Sequence, residues 1–210
     1  MQVLSNLKQG SQEWLAFRKE KVTGTRFGRS IAKDYKTRDG LIHDMIAEKY
    51  SNHRKEDYQS PEMSRGTEEE KFAAKEYESR FGVELEVIDM CRHEKYDWLL
   101  FSPDRYANNR TKYIEIKCPD SATMVEYTLS GEIPSKYKAQ ILLSFIVNEA
   151  QEECDLVIYD ARFKEFNHQM TVINIKREDL ADEISSAESM LEKFRKEWEE
   201  ADQFYQNLIF

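Results

Sequence analysis

The segment Lys112–Lys117 alternates strictly, and this constrains the fold more than any other feature of the chain. In an extended strand Ile114 and Ile116 fall on one face, and Tyr113, Glu115 and Lys117 on the other; Pro119 stops the run. The apolar face calls for a covering layer. The other face carries a carboxylate and an ammonium two residues apart, roughly 7 Å along the strand.

The surrounding pattern supplies the layers. Ser11–Lys21 reads as a short helix with Trp14, Leu15 and Phe17 turned inward. Val22-Thr23-Gly24 breaks it, and Thr25 suits the N-cap of a second helix through Ile31. Leu41–Tyr50 and Gly66–Phe81 read as further helices. Glu84–Met90, Trp98–Ser102, Asp155–Tyr159 and Thr171–Ile175 read as strands, and Lys136–Asn148 as an apolar helix against the sheet. A last helix near Glu178–Tyr205 repeats Leu180, Ile184, Ala187, Leu191, Phe194, Trp198, Ala201 and Tyr205 every three or four residues, a stripe that packs on the core. There is no repeat and no Pro/Gly-rich linker. The expectation is an α/β fold in one domain over residues 1–210, with N-terminal helices in 11–81, a sheet core in 84–176 and a C-terminal helix in 178–205, the sheet flanked by helices on both sides.

Charge and composition exclude several classes. A chain of 210 residues with 40% hydrophobic and 34% charged residues builds a sizeable core. No run of about 18 apolar residues calls for a membrane span, and Met1–Gly10 lacks the layout of a signal peptide, so a cytosolic protein is expected. Cys91, Cys118 and Cys154 are scattered and odd in number, which fits reduced buried thiols better than zinc ligands. His43, His53, His93 and His168 are equally dispersed; Asn52-His53 hints at an HNH-type nuclease whose other parts are missing. The net charge of -9 argues against a protein that coats DNA by bulk attraction. The charge is uneven, however: residues 1–60 carry 12 Lys/Arg against 8 Asp/Glu, and residues 178–202 carry 3 against 10. The N-terminal part can face a phosphate backbone while the C-terminal part stays in solvent, although on charge alone a solvated pattern without a function is the favoured reading.

Asp104 follows a strand and Pro103, so it joins Glu115 and Lys117 at a sheet edge. Hard carboxylate oxygens suit Mg²⁺ or Mn²⁺, and a nearby ammonium can orient a water or stabilise charge as a phosphodiester is attacked. Alone, the spacing fits an ordinary solvated strand face equally well. Glu70 shares a helix face with Ala74, Tyr77 and Phe81; a carboxylate turned inward there needs a partner or a metal, whereas a helix-start Glu needs only the dipole. Gln140 lies in the apolar run Ala139–Leu143, where a buried amide needs a partner. Arg18 and Thr25 suit a phosphate site, a guanidinium beside a hydroxyl at a helix start, although a plain cap and a surface arginine explain them too.

Taken in order, Trp14-x-x-x-Arg18, Val22-Thr23-Gly24-Thr25, Gly66-x-x-x-Glu70, Ser102-Pro103-Asp104, Glu115-Ile116-Lys117-Cys118-Pro119 and Tyr137-Lys138-Ala139-Gln140 resemble the phage lambda exonuclease and its YqaJ-type viral recombinase relatives, within the PD-(D/E)xK nucleases. The resemblance spans roughly residues 9 to 165. It implies a restriction-endonuclease-like core with a central mixed sheet. It implies that Asp104 and Glu115, with the Ile116 carbonyl, hold a metal ion, that Glu70 completes a second ion site, that Lys117 positions the attacking water and that Gln140 supports the site. Arg18, Thr25 and Ser102 would grip a 5′-terminal phosphate, and Met63 would be the apolar wedge that splits the duplex end. The resemblance further implies Mg²⁺ as cofactor, with Mn²⁺ as substitute, and a ring-shaped homotrimer that degrades one strand of double-stranded DNA from its 5′ end beside a single-strand annealing protein, in a bacterial cytosol and encoded by a phage or prophage. Thr25 stands where the family has a serine and Met63 where it has a leucine; hydroxyl and apolar bulk are kept.

Three other readings compete. An endonuclease of the same superfamily would cut closed circles, and an exonuclease with an iron–sulfur cluster would need four cysteines where this chain has three scattered ones. A non-catalytic DNA-binding or assembly module would not need the Asp, Glu and Lys set.

Overall fold

The computed structural model describes residues 1–5, 7–51 and 61–208, apart from the side chains of residues 61–64 and Thr67. His53 and the side chain of Met63 thus lie outside the described residues. Short-range signals start the first helices. Ser11 accepts the Trp14 N–H at 3.1 Å and opens α1 (Gln12–Phe17), and Asp34 accepts the Thr37 N–H at 2.9 Å and opens α3 (Tyr35–Tyr50). Between them lies α2 (Gly24–Ser30), and α4 (Pro61–Phe81) follows.

The strands β1 (Gln2–Val3), β2 (Cys91–Arg92) and β3 (Leu100–Phe101) form a small antiparallel sheet. The main sheet runs β4 (Arg105–Ala107), β5 (Lys112–Lys117), β6 (Glu153–Tyr159) and β7 (Met170–Lys176) in that order. Only the β5–β6 pair is parallel, and its crossover carries α5 (Ser121–Ser130) and α6 (Ser135–Val147); β4 and β7 pair antiparallel to their neighbours. The chain closes with α7 (Ala181–Asn207).

The alternation of β5 decides which helix lies on which face. Ile114 and Ile116 pack with Ala73, Ala74 and Tyr77 of α4. Tyr113 belongs to the larger cluster on the other face, with Ile141 and Phe145 of α6, Phe27 of α2, Leu41 of α3 and Phe194 of α7. The mixed sheet is thus covered by helices on both faces. Phe194 is fully buried, and removing such a ring costs about 3–5 kcal/mol. Arg38, 1% exposed, ties α7 to the start of α3: it donates to both Glu197 oxygens at 2.7 and 2.8 Å and to the Ala32 and Lys33 carbonyls at 2.7 and 3.1 Å. Among the described residues no helix is long and apolar enough to cross a membrane.

Several expectations need correction. Glu84–Met90 is not a strand; it holds a single bridge, Glu86 to Tyr106, because Glu84, Glu86 and Val87 face solvent with no ladder beside them. The strand expected over Trp98–Ser102 shrinks to β3. Thr25 is not an N-cap: Thr23 holds that position, and Thr25 is the second residue of α2. Phe81 does not share the inward face of Ala74 and Tyr77 but is half exposed at the end of α4. The apolar stripe of α7 is buried only to Trp198; Tyr205 leaves the core and meets the Tyr50 ring at 5.0 Å. Helix α5 was not expected, and α3 starts six residues before Leu41.

Candidate active site

The C-terminal half of β5 gathers the polar groups. Pairing of Arg105 with Ile114 brings Asp104 alongside Glu115 and Ile116. Asp104 Oδ2 accepts the Ile116 backbone N–H at 2.8 Å, which fixes the carboxylate to β5 between Glu115 and Lys117. Lys117 Nζ lies 3.9 Å from Asp104 Oδ2 and touches Glu115 Oε1.

Glu115 is fully buried. Its Oε2 accepts from the Tyr113 hydroxyl, two residues earlier on the same face, and from Gln140 Nε2 of α6 at 2.9 Å. The amide in the apolar run thus finds its partner. Oε1 lies against the Lys117 ammonium, which pairs with it. Burial pushes the Glu115 carboxyl up to about 7, against the pull of Lys117 and with the push of Asp104. Burial works against the Lys117 charge, yet the Glu115 and Asp104 carboxylates outweigh it and hold its pKa above the ordinary lysine value.

Glu70 enters from α4. Its carboxyl is raised by burial and by Asp104, and Arg105 Nη1 donates to it at 3.0 Å. Among the described residues no three His, Cys, Asp or Glu side chains converge tightly enough to enclose an ion. The donor chemistry nevertheless fits a hard divalent cation. Two carboxylates already share one cation, the Lys117 ammonium, and one of them, Glu115, is fully buried. Glu70 would join the set by turning from Arg105.

Beside this group opens a pocket of about 610 Å³, lined among others by Arg18, Thr25, Ser102, Lys117 and Gln140. Arg18 lies over the Trp14 ring at 4.0 Å and donates to Thr23 Oγ1 at 3.3 Å, and Thr23 Oγ1 lies 3.2 Å from Thr25 Oγ1. The residues singled out for phosphate and those singled out for metal thus meet through Lys117 and Gln140. Thr23, Arg105, Lys136 and Tyr137 were missed as site residues. Thr23 had a readable signal, a hydroxyl residue directly before Gly24 at a helix start. Arg105 had none, because its role depends on where α4 crosses β4. The cysteines stay outside the site: Cys91 and Cys154 are buried and Cys118 half-buried, all as free thiols. His93 is buried and structural, its Nδ1 accepting from the Lys95 and Tyr96 N–H groups.

The model of the YqaJ-like viral recombinase domain matches residues 13–151. The chain belongs to that family. The matched span holds every candidate site residue from Arg18 to Gln140 and ends before β6. Among solved structures, this YqaJ-type chain is similar to an alkaline exonuclease, LHK-Exo, from Laribacter hongkongensis, at 26% identity and a TM-score of 0.77, over 94% of this chain and 100% of the other. The complex of LHK-Exo with dAMP matches at 26% identity and a TM-score of 0.76, with the same coverage. A phage related exonuclease from Haemophilus somnus shares the fold at 17% identity and a TM-score of 0.59, over 90% of this chain and 96% of the other. No curated protein matches in sequence.

Proposed function

We propose that this chain is a metal-dependent DNA exonuclease that degrades one strand of linear duplex DNA from its 5′ end. The observation that carries the reading is the meeting of Asp104, Glu115 and Lys117 at the end of one strand, beside a pocket lined by Arg18, Thr25 and Ser102. Membership of the YqaJ-type family and likeness to the alkaline exonuclease support the class of reaction.

In this reading Asp104, Glu115 and the Ile116 carbonyl would hold Mg²⁺, for which Mn²⁺ would substitute, and Glu70 would serve a second ion. Bound there, the ions supply Lewis-acid polarisation of the phosphate and a water of lowered pKa. Lys117 orients the attacking water and offsets negative charge that builds on the phosphoryl oxygens. Gln140 holds Glu115 Oε2 so that Oε1 faces Lys117. Arg18, Thr25 and Ser102 bind the terminal 5′ phosphate; the rigid fork of Arg18 favours a dianionic end over an internal diester. Met63, whose side chain lies outside the described residues, is the wedge that parts the duplex end. The enzyme works as a ring-shaped homotrimer beside a single-strand annealing protein, in recombination of a phage or prophage in the bacterial cytosol.

The reading is tested with linear duplexes carrying a 5′ phosphate or a 5′ hydroxyl and with closed circles, each with Mg²⁺ and with chelator. Shortening of the 5′-phosphorylated strand alone, lost with chelator, is expected. Cutting of closed circles would replace the exonuclease by an endonuclease.

A further inference from the structure

Four cations border the pocket, and their pairing differs. Arg29 is neutralised by Asp44 at 2.7 Å, and Lys117 by Glu115 and Asp104. Arg18 is engaged by Trp14 and Thr23. Lys136, on the first turn of α6, makes no salt bridge among the described residues. Its Nζ lies 5.3 Å from the Tyr127 ring and 4.9 Å from the Tyr137 ring. Lys138, two residues on, is bonded to Glu183 at 2.9 Å and does not border the pocket.

Lys136 is exposed to solvent, and what sets it apart is its place between two rings at the pocket rim. Two tyrosine rings hold the ammonium in place without cancelling its charge. The Tyr137 ring is shared: Lys117 Nζ sits 5.6 Å from the same centroid. The two ammoniums are therefore separated by no more than the sum of those two ring distances. A DNA strand carries one phosphate per about 3.4 Å of axis, so this span covers about three steps or fewer.

We infer that Lys136 is a substrate-positioning residue: its ammonium, held by Tyr127 and Tyr137, contacts a backbone phosphate of the strand being degraded, a few nucleotides or fewer from the one at Lys117. The inference rests on the nuclease reading for the identity of the strand. Its chemistry predicts a contact that is independent of base sequence and sensitive to salt. Lys136 takes no part in bond breaking, so its removal weakens capture of the DNA end and leaves the step at the metal site in place once the end is bound.

The test compares wild type, Lys136→Met, Lys136→Arg and the control Lys138→Met. Binding of a 5′-phosphorylated duplex end is measured without divalent metal from about 50 to 200 mM salt, and single-turnover digestion with Mg²⁺ at rising enzyme concentration. Lys136→Met should weaken binding about five- to tenfold at the low end and lower the slope of log K against log salt by about 0.7 to 0.9. The enzyme concentration for half-maximal digestion should rise by the same factor. Lys136→Arg should restore most of the slope, and Lys138→Met should match wild type. An unchanged slope in a folded Lys136→Met overturns the inference while wild-type digestion leaves the nuclease reading standing. Wild type that binds ends with the expected slopes but never cuts overturns the nuclease reading alone. A loss of slope that Lys136→Arg does not restore, with a lowered thermal midpoint, would make Lys136 a packing residue and overturn the inference.

Discussion

Strand β5 carries a lysine at each end, and each lysine faces carboxylates, yet the two ends differ in their surroundings. At the start, Lys112 Nζ lies 3.1 Å from Glu153 and 3.2 Å from Asp155. Asp155 Oδ2 also accepts from the Tyr77 hydroxyl, and Oδ1 from Asn174 at 2.6 Å. Both oxygens are satisfied. At the other end Lys117 faces Asp104 and Glu115, burial pushes the Glu115 carboxyl up to about 7, and the group borders a pocket. The first network holds β5, β6 and α4 together away from the pocket, whereas the second lies beside a place where a ligand can enter. The contrast separates a structural ion cluster from a reactive one with the same residue types.

Substitutions can break this contrast, and they are taken from the largest effect down. Asp104→Asn or Glu115→Ala should abolish hydrolysis, to below about 10⁻³ of wild type, in folded protein that still binds duplex, as read by single-turnover digestion. Wild-type digestion by either variant would remove the carboxylate from the mechanism. Asp155→Ala should do the reverse. It strips Tyr77 and Lys112 of a buried partner and should cost about 3 kcal/mol of stability, read from urea unfolding, with digestion by the folded fraction unchanged. A loss of rate without a loss of stability would make the two ends alike. Lys117→Ala should slow single-turnover digestion about 10²-fold. Arg18→Ala should slow digestion of 5′-phosphorylated ends about tenfold and erase their advantage over 5′-hydroxyl ends. If the preference persists while the melt shifts, Arg18 serves only its packing on Trp14.

How much of this was legible in the sequence depends on the range of each interaction. The two faces of β5 follow from a period of two, and Gln140 declares itself as an amide inside an apolar run, so Glu115, Lys117 and Gln140 could be named before any coordinates. The Asp104–Glu115–Lys117 spacing pointed to the sheet edge, but the bond from the Ile116 N–H to Asp104 needs the register of β4 against β5. Local signals were also passed over: Asp120 caps α5 by accepting the Thr123 N–H, and Gly131 ends it at φ +62°, a conformation that suits glycine. The segment Glu84–Met90 looked like a strand because of its residue types, but a strand needs a continuous ladder, and among the described residues this segment makes one bridge, at Glu86. Arg105 on Glu70, and the Tyr137 ring between two lysines, arise where distant segments meet, and no spacing announces them.

The central claim is that the pocket end of β5 is a metal-dependent site that consumes DNA from a 5′ terminus. The most direct measurement labels each strand of a linear duplex at a known end and follows both through one turnover with Mg²⁺, with and without a 5′ phosphate. The account predicts that only the strand bearing the 5′ phosphate shortens, from that end, with no product when the ion is chelated. Shortening from the 3′ end, or equal digestion in chelator, would contradict it.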